Sequence, residues 1–163
     1  MSLNTILIII ITLTMNINYE IRATENYGRG LFTLETIPAG KCIWHYKLNQ
    51  NVFEYNEAES IAHLKSLPNL KAQQRFLDSS FGRGLVLCLI VDDGQYVNHA
   101  VAPICNCKTD MTTGDCFSLR TIAAGEQIFE DYTSFSHPPF LFPLLKEYAC
   151  EPDYYELPPS GKN

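Results

Sequence analysis

Residues 121–132, Thr-Ile-Ala-Ala-Gly-Glu-Gln-Ile-Phe-Glu-Asp-Tyr, repeat in their first half a stretch that lies 85 positions upstream, Thr36–Trp44, Thr-Ile-Pro-Ala-Gly-Lys-Cys-Ile-Trp. Both copies read Thr-Ile-x-Ala-Gly-x-x-Ile followed by a large aromatic residue. Gly40 and Gly125 stand where a left-handed turn residue would reverse the chain before the next strand, a conformation open to glycine at little steric cost. The shared part is therefore architecture. The copies diverge after the second isoleucine, one continuing Trp44-His45-Tyr46 and the other Phe129-Glu130-Asp131-Tyr132, and that divergence is where function is to be sought.

Outward from these segments the pattern is one of short strands and tight turns. Residues 17–46 alternate in polarity and are punctuated by Gly28, Gly30, Pro38 and Gly40, which predicts three short strands. Between Asn56 and Ser79 the spacing of Ile61, Leu64, Leu67, Leu70, Phe76 and Leu77 predicts two short helices separated at Pro68 and lying over a sheet. A buried strand is predicted within 84–91, a turn and a brief extended piece over 92–100, and two further strands over 116–132. Pro139 is positioned to open a helix with Leu141, Leu144, Leu145 and Tyr148 on one side. The expected division is an apolar extension (1–16), one domain (17–134), a closing segment (135–155) and a loose tail (156–163).

With 163 residues, 46% of them hydrophobic, the chain can bury one sizeable core, and a monomer is expected. A formal net charge of −6 argues against direct nucleic acid binding, which needs clustered Lys and Arg against phosphate. It favours a basic peptide as partner. The six cysteines include several in apolar runs, read as reduced buried thiols of an intracellular protein, nuclear or cytoplasmic. The run from Ile6 to Leu13 is too short to span a bilayer, so no stable membrane span is expected. It has the length of a signal-peptide core, which would make the protein secreted, but no Lys or Arg precedes it; the other reading is a β-branched strand.

Four segments in order, Tyr27–Phe32 (YGRGLF), Ile37–Trp44 (IPAGKCIW), Tyr96–Asn106 (YVNHAVAPICN) and Gly125–Tyr132 (GEQIFEDY), resemble the signature of the SET domain family of protein lysine methyltransferases. The resemblance covers about residues 19–132. It implies a mainly β fold with short helices, built of small antiparallel sheets with a knot-like C-terminal threading that brings Asn98 and His99 beside Tyr132. It also implies S-adenosylmethionine as cofactor, lying along Gly28, Arg29 and Gly30 and touched by the Asn98 side chain, His99 backbone and Tyr132. Tyr132 matches the catalytic tyrosine. The substrate would be a lysine of a histone or non-histone protein, entering a channel assigned to Tyr96, Phe135 and Phe140, with Phe142 adding cover. Methyl transfer from a sulfonium needs in-line approach and a neutral amine, so positioning dominates. A lysine, with a reference pKa of about 10.4, is deprotonated more easily in a desolvated channel beside a cationic cofactor.

Each residue also has a plain reading. Tyr132 could be a packed core tyrosine, Asn98 and His99 turn residues, Arg29 a solvated turn residue, and Phe135, Phe140 and Phe142 residues that seal the domain's core. Glu126 and Asp131 read as surface carboxylates rather than an acid–base pair. The chain departs from the family pattern in having Ala100-Val101 after Asn98-His99, and in the order Pro103-Ile104-Cys105-Asn106. These departures keep open the alternative of a catalytically silent SET-fold module that binds a partner or peptide in the same groove. Cys105, Cys107 and Cys116 lack a fourth cysteine nearby, so no metal is expected.

Overall fold

The computed structural model describes residues 14–150. The predictions for Ile6–Leu13 and for the tail 156–163 lie outside these residues.

The chain opens with a hairpin of β1 (Tyr19–Thr24) and β2 (Gly28–Thr33), then β3 (Cys42–Trp44) and β4 (Val52–Tyr55). Two helices follow, α1 (Glu57–Ser66) and α2 (Leu70–Asp78), and then β5 (Ser80–Arg83) and β6 (Val86–Ile90). The remainder supplies β7 (Asn98–His99), β8 (Cys107–Thr109), β9 (Cys116–Ser118), β10 (Phe129–Glu130) and α3 (Leu141–Glu147). The strands form three small sheets, β1-β2, β4-β6-β5 and a five-stranded sheet in the order β3-β9-β8-β10-β7. The mainly β fold with short helices expected from the sequence is what the chain adopts.

The two echoing segments pair with each other. Ile37 N–H donates to Ile122 O and Ile122 N–H to Ile37 O, both at 2.9 Å. Around this pair the bonds repeat with the same 85-residue offset: Gly40 N–H donates to Ser118 O at 2.9 Å, and Gly125 N–H to Thr33 O at 2.7 Å. Gly40 and Gly125 have φ of +77° and +85°, the left-handed region that the repeat predicted. Ile37, Ile43, Ile122 and Ile128 are all buried at the centre of the main core. The repeat is thus a pseudo-symmetric clasp holding the hairpin end of the chain against the strands that carry the C-terminal motif.

Within the five-stranded sheet the late strand β10 lies between β8 and β7 and runs parallel to both. Residues 14–16 pair along β3, with Asn16 N–H bonded to Ile43 O at 2.9 Å and His45 N–H to Thr14 O at 2.8 Å. Met15 and Ile17 belong to the core, so the packed unit includes the last residues of the apolar extension.

Each of the two helices begins at an asparagine cap. Asn56 forms a reciprocal capping box with Glu59, and Asn69 accepts from Ala72 N–H at 3.0 Å. With α3 they enclose a second apolar cluster, in which Leu64, Phe76 and Leu77 meet Leu141, Leu144 and Leu145. Three strands carry no readable period: β4, β5 and β8 are three or four residues long and interrupted by Glu54, Gly82 and Lys108. Tertiary pairing rather than local pattern makes them strands.

Candidate active site

The site is built where β7 meets β10. Asn98 pairs with Phe129 and His99 with Glu130 in parallel register, and Ala100 N–H donates to Glu130 O at 3.0 Å. Asn98 Nδ2 donates to Arg29 O at 2.9 Å, tying the Gly28–Gly30 turn to this strand. Gly28 has φ +71° with open space where a Cβ would stand, whereas a Cβ on Gly30 would overlap the Gln127 side chain. Gln127 Nε2 is buried and has no hydrogen-bond partner among the described residues.

Tyr132 joins this arrangement to the interior. Its backbone N–H donates to His99 Nδ1 at 3.0 Å, which makes that nitrogen an acceptor and leaves the neutral ring's proton on Nε2. Its hydroxyl donates to Val97 O. The Tyr132 ring stands 5.4 Å from His99 and stacks on Phe135 at 5.5 Å, and Phe135 in turn packs on Phe81 at 4.9 Å. The rings of Tyr132, Phe135 and Phe81, with Trp44 and Val97, form the apolar wall of a cleft whose lining also includes Asp78 and Glu130.

Of the three residues assigned to a substrate channel, only Phe135 lines this cleft. Tyr96, at the end of a 3-10 turn over Asp93–Tyr96, lies under the Arg29 guanidinium, 4.6 Å from its ring centroid, and its hydroxyl accepts from Arg29 Nη1 at 3.1 Å. Phe140, the residue before α3, packs instead against the second apolar cluster formed by the helices. Phe142 packs in the same cluster. The Phe135–Pro138 stretch covers the cleft by lying over β5: a Cβ on Gly82 would meet Pro138 at 2.7 Å, and Gly84 N–H donates to Ser136 Oγ at 2.7 Å.

Two carboxylates missed by motif reading organise the site. Asp92 accepts from Trp44 Nε1 at 2.9 Å, Asn51 Nδ2 at 2.8 Å and Gly94 N–H at 2.9 Å, and also from the Thr14 hydroxyl. It fixes both the tryptophan of the cleft and the turn that delivers Val97 and Asn98. Glu130 is 5% exposed and bonded to the backbone N–H and hydroxyl of Thr109. Burial pushes its carboxyl up to about 7, against the Thr109 hydrogen bonds that favour the charged form. Burial also raises Asp78. Glu126, by contrast, is held at about 2, chiefly by the Arg120 guanidinium, and Asp131 caps the short 3-10 turn over Tyr132–Ser134 by accepting from Thr133 N–H. The signal for Glu130 was its place after Ile128-Phe129 in the buried end of the repeat, where alternation turns it inward.

The sequence profile described as SET domain matches residues 28–133, more than half of the chain. No curated protein matches it. Among solved structures, that of a Plasmodium falciparum protein described as a candidate histone methyltransferase is similar, with 15% sequence identity and a TM-score of 0.48, the match covering 72% of this chain and 95% of that one. The chain belongs to the SET domain family. No helix among the described residues is long and apolar enough to cross a membrane.

Proposed function

We propose that the protein is an S-adenosylmethionine-dependent protein-lysine N-methyltransferase. The observation that carries this reading is the bond from Asn98 to Arg29 O, which joins the Gly-x-Gly turn to the strand pairing with β10, and β10 ends two residues before Tyr132. The cofactor residues of the family pattern and its tyrosine are thereby gathered at one place.

The residues present fit the cofactor. The turn is glycine at both positions that approach it, Asn98 retains Oδ1 and a second amide hydrogen after its bond to Arg29, and Gln127 Nε2 is a buried donor that a polar ligand can satisfy. Gly28, Arg29 and Gly30 would hold S-adenosylmethionine through backbone groups, with Asn98, His99 and Tyr132 beside them. When bound, the cofactor supplies an electrophilic methyl group on a sulfonium.

The chain's own groups do the rest. Trp44, Phe81 and Phe135 give a lysine stem an apolar path and exclude water, so the charged amine is disfavoured. Asp78 and Glu130 attract the ammonium into the cleft. Glu130, with a pKa of about 7, is matched to accept the proton that the amine must lose. Tyr132, fixed through its backbone to His99 and through its hydroxyl to Val97 O, orients the amine. The substrate is a lysine-containing protein or peptide, histone or non-histone, and the domain acts as a monomer.

The test is transfer of labelled methyl from S-adenosylmethionine to a panel of basic proteins, followed by amino-acid analysis of the product. Methyllysine is the expected product. Saturable peptide binding with no methyl transfer would instead support the silent binding module, which the altered sequence after His99 favours.

A further inference from the structure

The far edge of the five-stranded sheet carries a second cluster, unconnected with the cleft chemistry. Cys42 lies in β3, His45 follows that strand immediately, and Asp115 directly precedes β9, which pairs with β3. The register shift between Cys42 and Trp44 and the turn of the chain after Trp44 bring Cys42 and His45 together. Cys42 Sγ is 3.5 Å from His45 Nδ1, and Asp115 Oδ2 is 3.3 Å from the same nitrogen.

We propose that Cys42, His45 and Asp115 form a zinc-binding site at this sheet edge, with the fourth ligand supplied by water. Tetrahedral zinc with bonds of about 2.3 Å to sulfur and about 2.0–2.1 Å to nitrogen and oxygen separates S from N by about 3.6 Å and N from O by about 3.3 Å. The two measured separations match these, and all three donor atoms lie within 4.8 Å of one another.

Two observations favour an ion over a nucleophilic cysteine. A Cys-His-Asp relay uses both imidazole nitrogens, one toward the thiol and one toward the carboxylate; here a single nitrogen faces both, and Nε2 is farther from the sulfur, at 3.9 Å. A divalent cation takes the place of the thiol proton, which leaves to solvent. Asp115 is also oriented for the role, since its Oδ1 accepts from Tyr46 N–H at 2.9 Å and leaves Oδ2 for the ion.

Charge separates this cluster from the buried trio Cys107, Cys116 and Glu130. One thiolate, one carboxylate and a neutral imidazole balance a doubly charged ion. Two thiolates and a carboxylate would leave a net negative charge in the core, and both Glu130 oxygens are already bonded to Thr109. The His45 and Asp115 side chains are 40% and 26% exposed, which admits the ion and its water. Bound there, zinc would staple β3 to the start of β9.

The test uses the full chain, stripped with a mild chelator and titrated with Zn2+ and separately with Co2+ as a spectroscopic substitute. One ion per chain is expected, with a cobalt spectrum showing tetrahedral visible bands and a thiolate charge-transfer band. Cys42→Ser should abolish the charge-transfer band and His45→Ala the stoichiometric binding, while Cys107→Ala changes neither. Absence of stoichiometric binding would overturn the proposal. So would a thiolate band that survives Cys42→Ser and disappears in Cys107→Ala.

Discussion

Asn98 Nδ2 donates to the carbonyl of Arg29, 69 residues earlier in the chain, at 2.9 Å. That one bond holds the glycine turn against β7 while leaving the rest of the amide for a ligand. Asn98→Ala should therefore weaken S-adenosylmethionine binding by roughly tenfold or more, the equivalent of a lost hydrogen bond of about 1–2 kcal/mol, with the fold retained. An unchanged dissociation constant by calorimetry would refute the placement.

Tyr132→Phe keeps the ring contacts with His99 and Phe135 and removes the hydroxyl bonded to Val97 O. Methyl transfer should fall by about a hundredfold, the order of loss that follows misplacement of reacting groups, with cofactor affinity little changed. Activity equal to the native protein would contradict the orienting role.

Glu130 predicts a pH dependence of stability. Between the ordinary 4.5 and about 7 the folded protein retains a proton that the unfolded chain has released, so stability falls as pH rises through this window. At about 1.4 kcal/mol per pH unit the loss is on the order of 3 kcal/mol. Glu126, lowered to about 2, acts only at more acid pH and in the opposite sense. Glu130→Gln, able to keep both Thr109 partners, should flatten the urea-unfolding profile between pH 5 and about 8. It should also slow methyl transfer, because it removes the proton acceptor. A variant profile parallel to the native one would remove Glu130 as the cause.

Two glycines separate turn geometry from packing. A Cβ on Gly94 would stand 2.7 Å from Trp44 Nε1 and 3.0 Å from Asp92 Oδ1, so Gly94→Ala must push apart the Asp92–Trp44 pair, at a cost of about 1–3 kcal/mol. It should also disturb the cleft wall. Gly40, with φ +77° and nothing within 4 Å of such a Cβ, should cost about 1 kcal/mol as alanine through backbone strain alone and leave the cleft intact. Denaturant melts with tryptophan fluorescence distinguish the two, since only Gly94→Ala should alter the native-state emission of Trp44, the chain's one tryptophan. Identical native emission in both variants would contradict the close packing.

Much of this was legible before any coordinates. The echo of Thr36–Trp44 in Thr121–Phe129 identified both left-handed glycines, and the apolar spacing between Asn56 and Ser79 with the break at Pro68 located the two helices. What the sequence did not disclose was that the two copies bond to each other through Ile37 and Ile122, because pairing across 85 residues leaves no local trace. β5 and β8 escaped because they are only four and three residues long and are interrupted by Gly82 and Lys108. Phe140 was assigned to the channel from its aromatic character and nearness to Tyr132, yet it packs against the second cluster where α3 begins. Asp92 looked like half of an Asp-Asp turn; that its carboxylate gathers Trp44, Asn51 and Gly94 depends on three segments meeting. Glu130 is polar and stands beside Asp131, so alternation from Ile128 gives only its inward direction, and the parallel pairing of β10 between β8 and β7 is what buries it.

The central claim is that the glycine turn, Asn98-His99 and Tyr132 together form a site for S-adenosylmethionine. The most direct measurement is calorimetric titration of the full chain with S-adenosylmethionine and then with S-adenosylhomocysteine, since Met15 belongs to the core and truncation beyond Thr14 would damage it. One-to-one saturable binding of both is predicted, with about 2.7 kcal/mol of added stability at a hundred times the dissociation constant. Folded protein that binds neither would contradict the account.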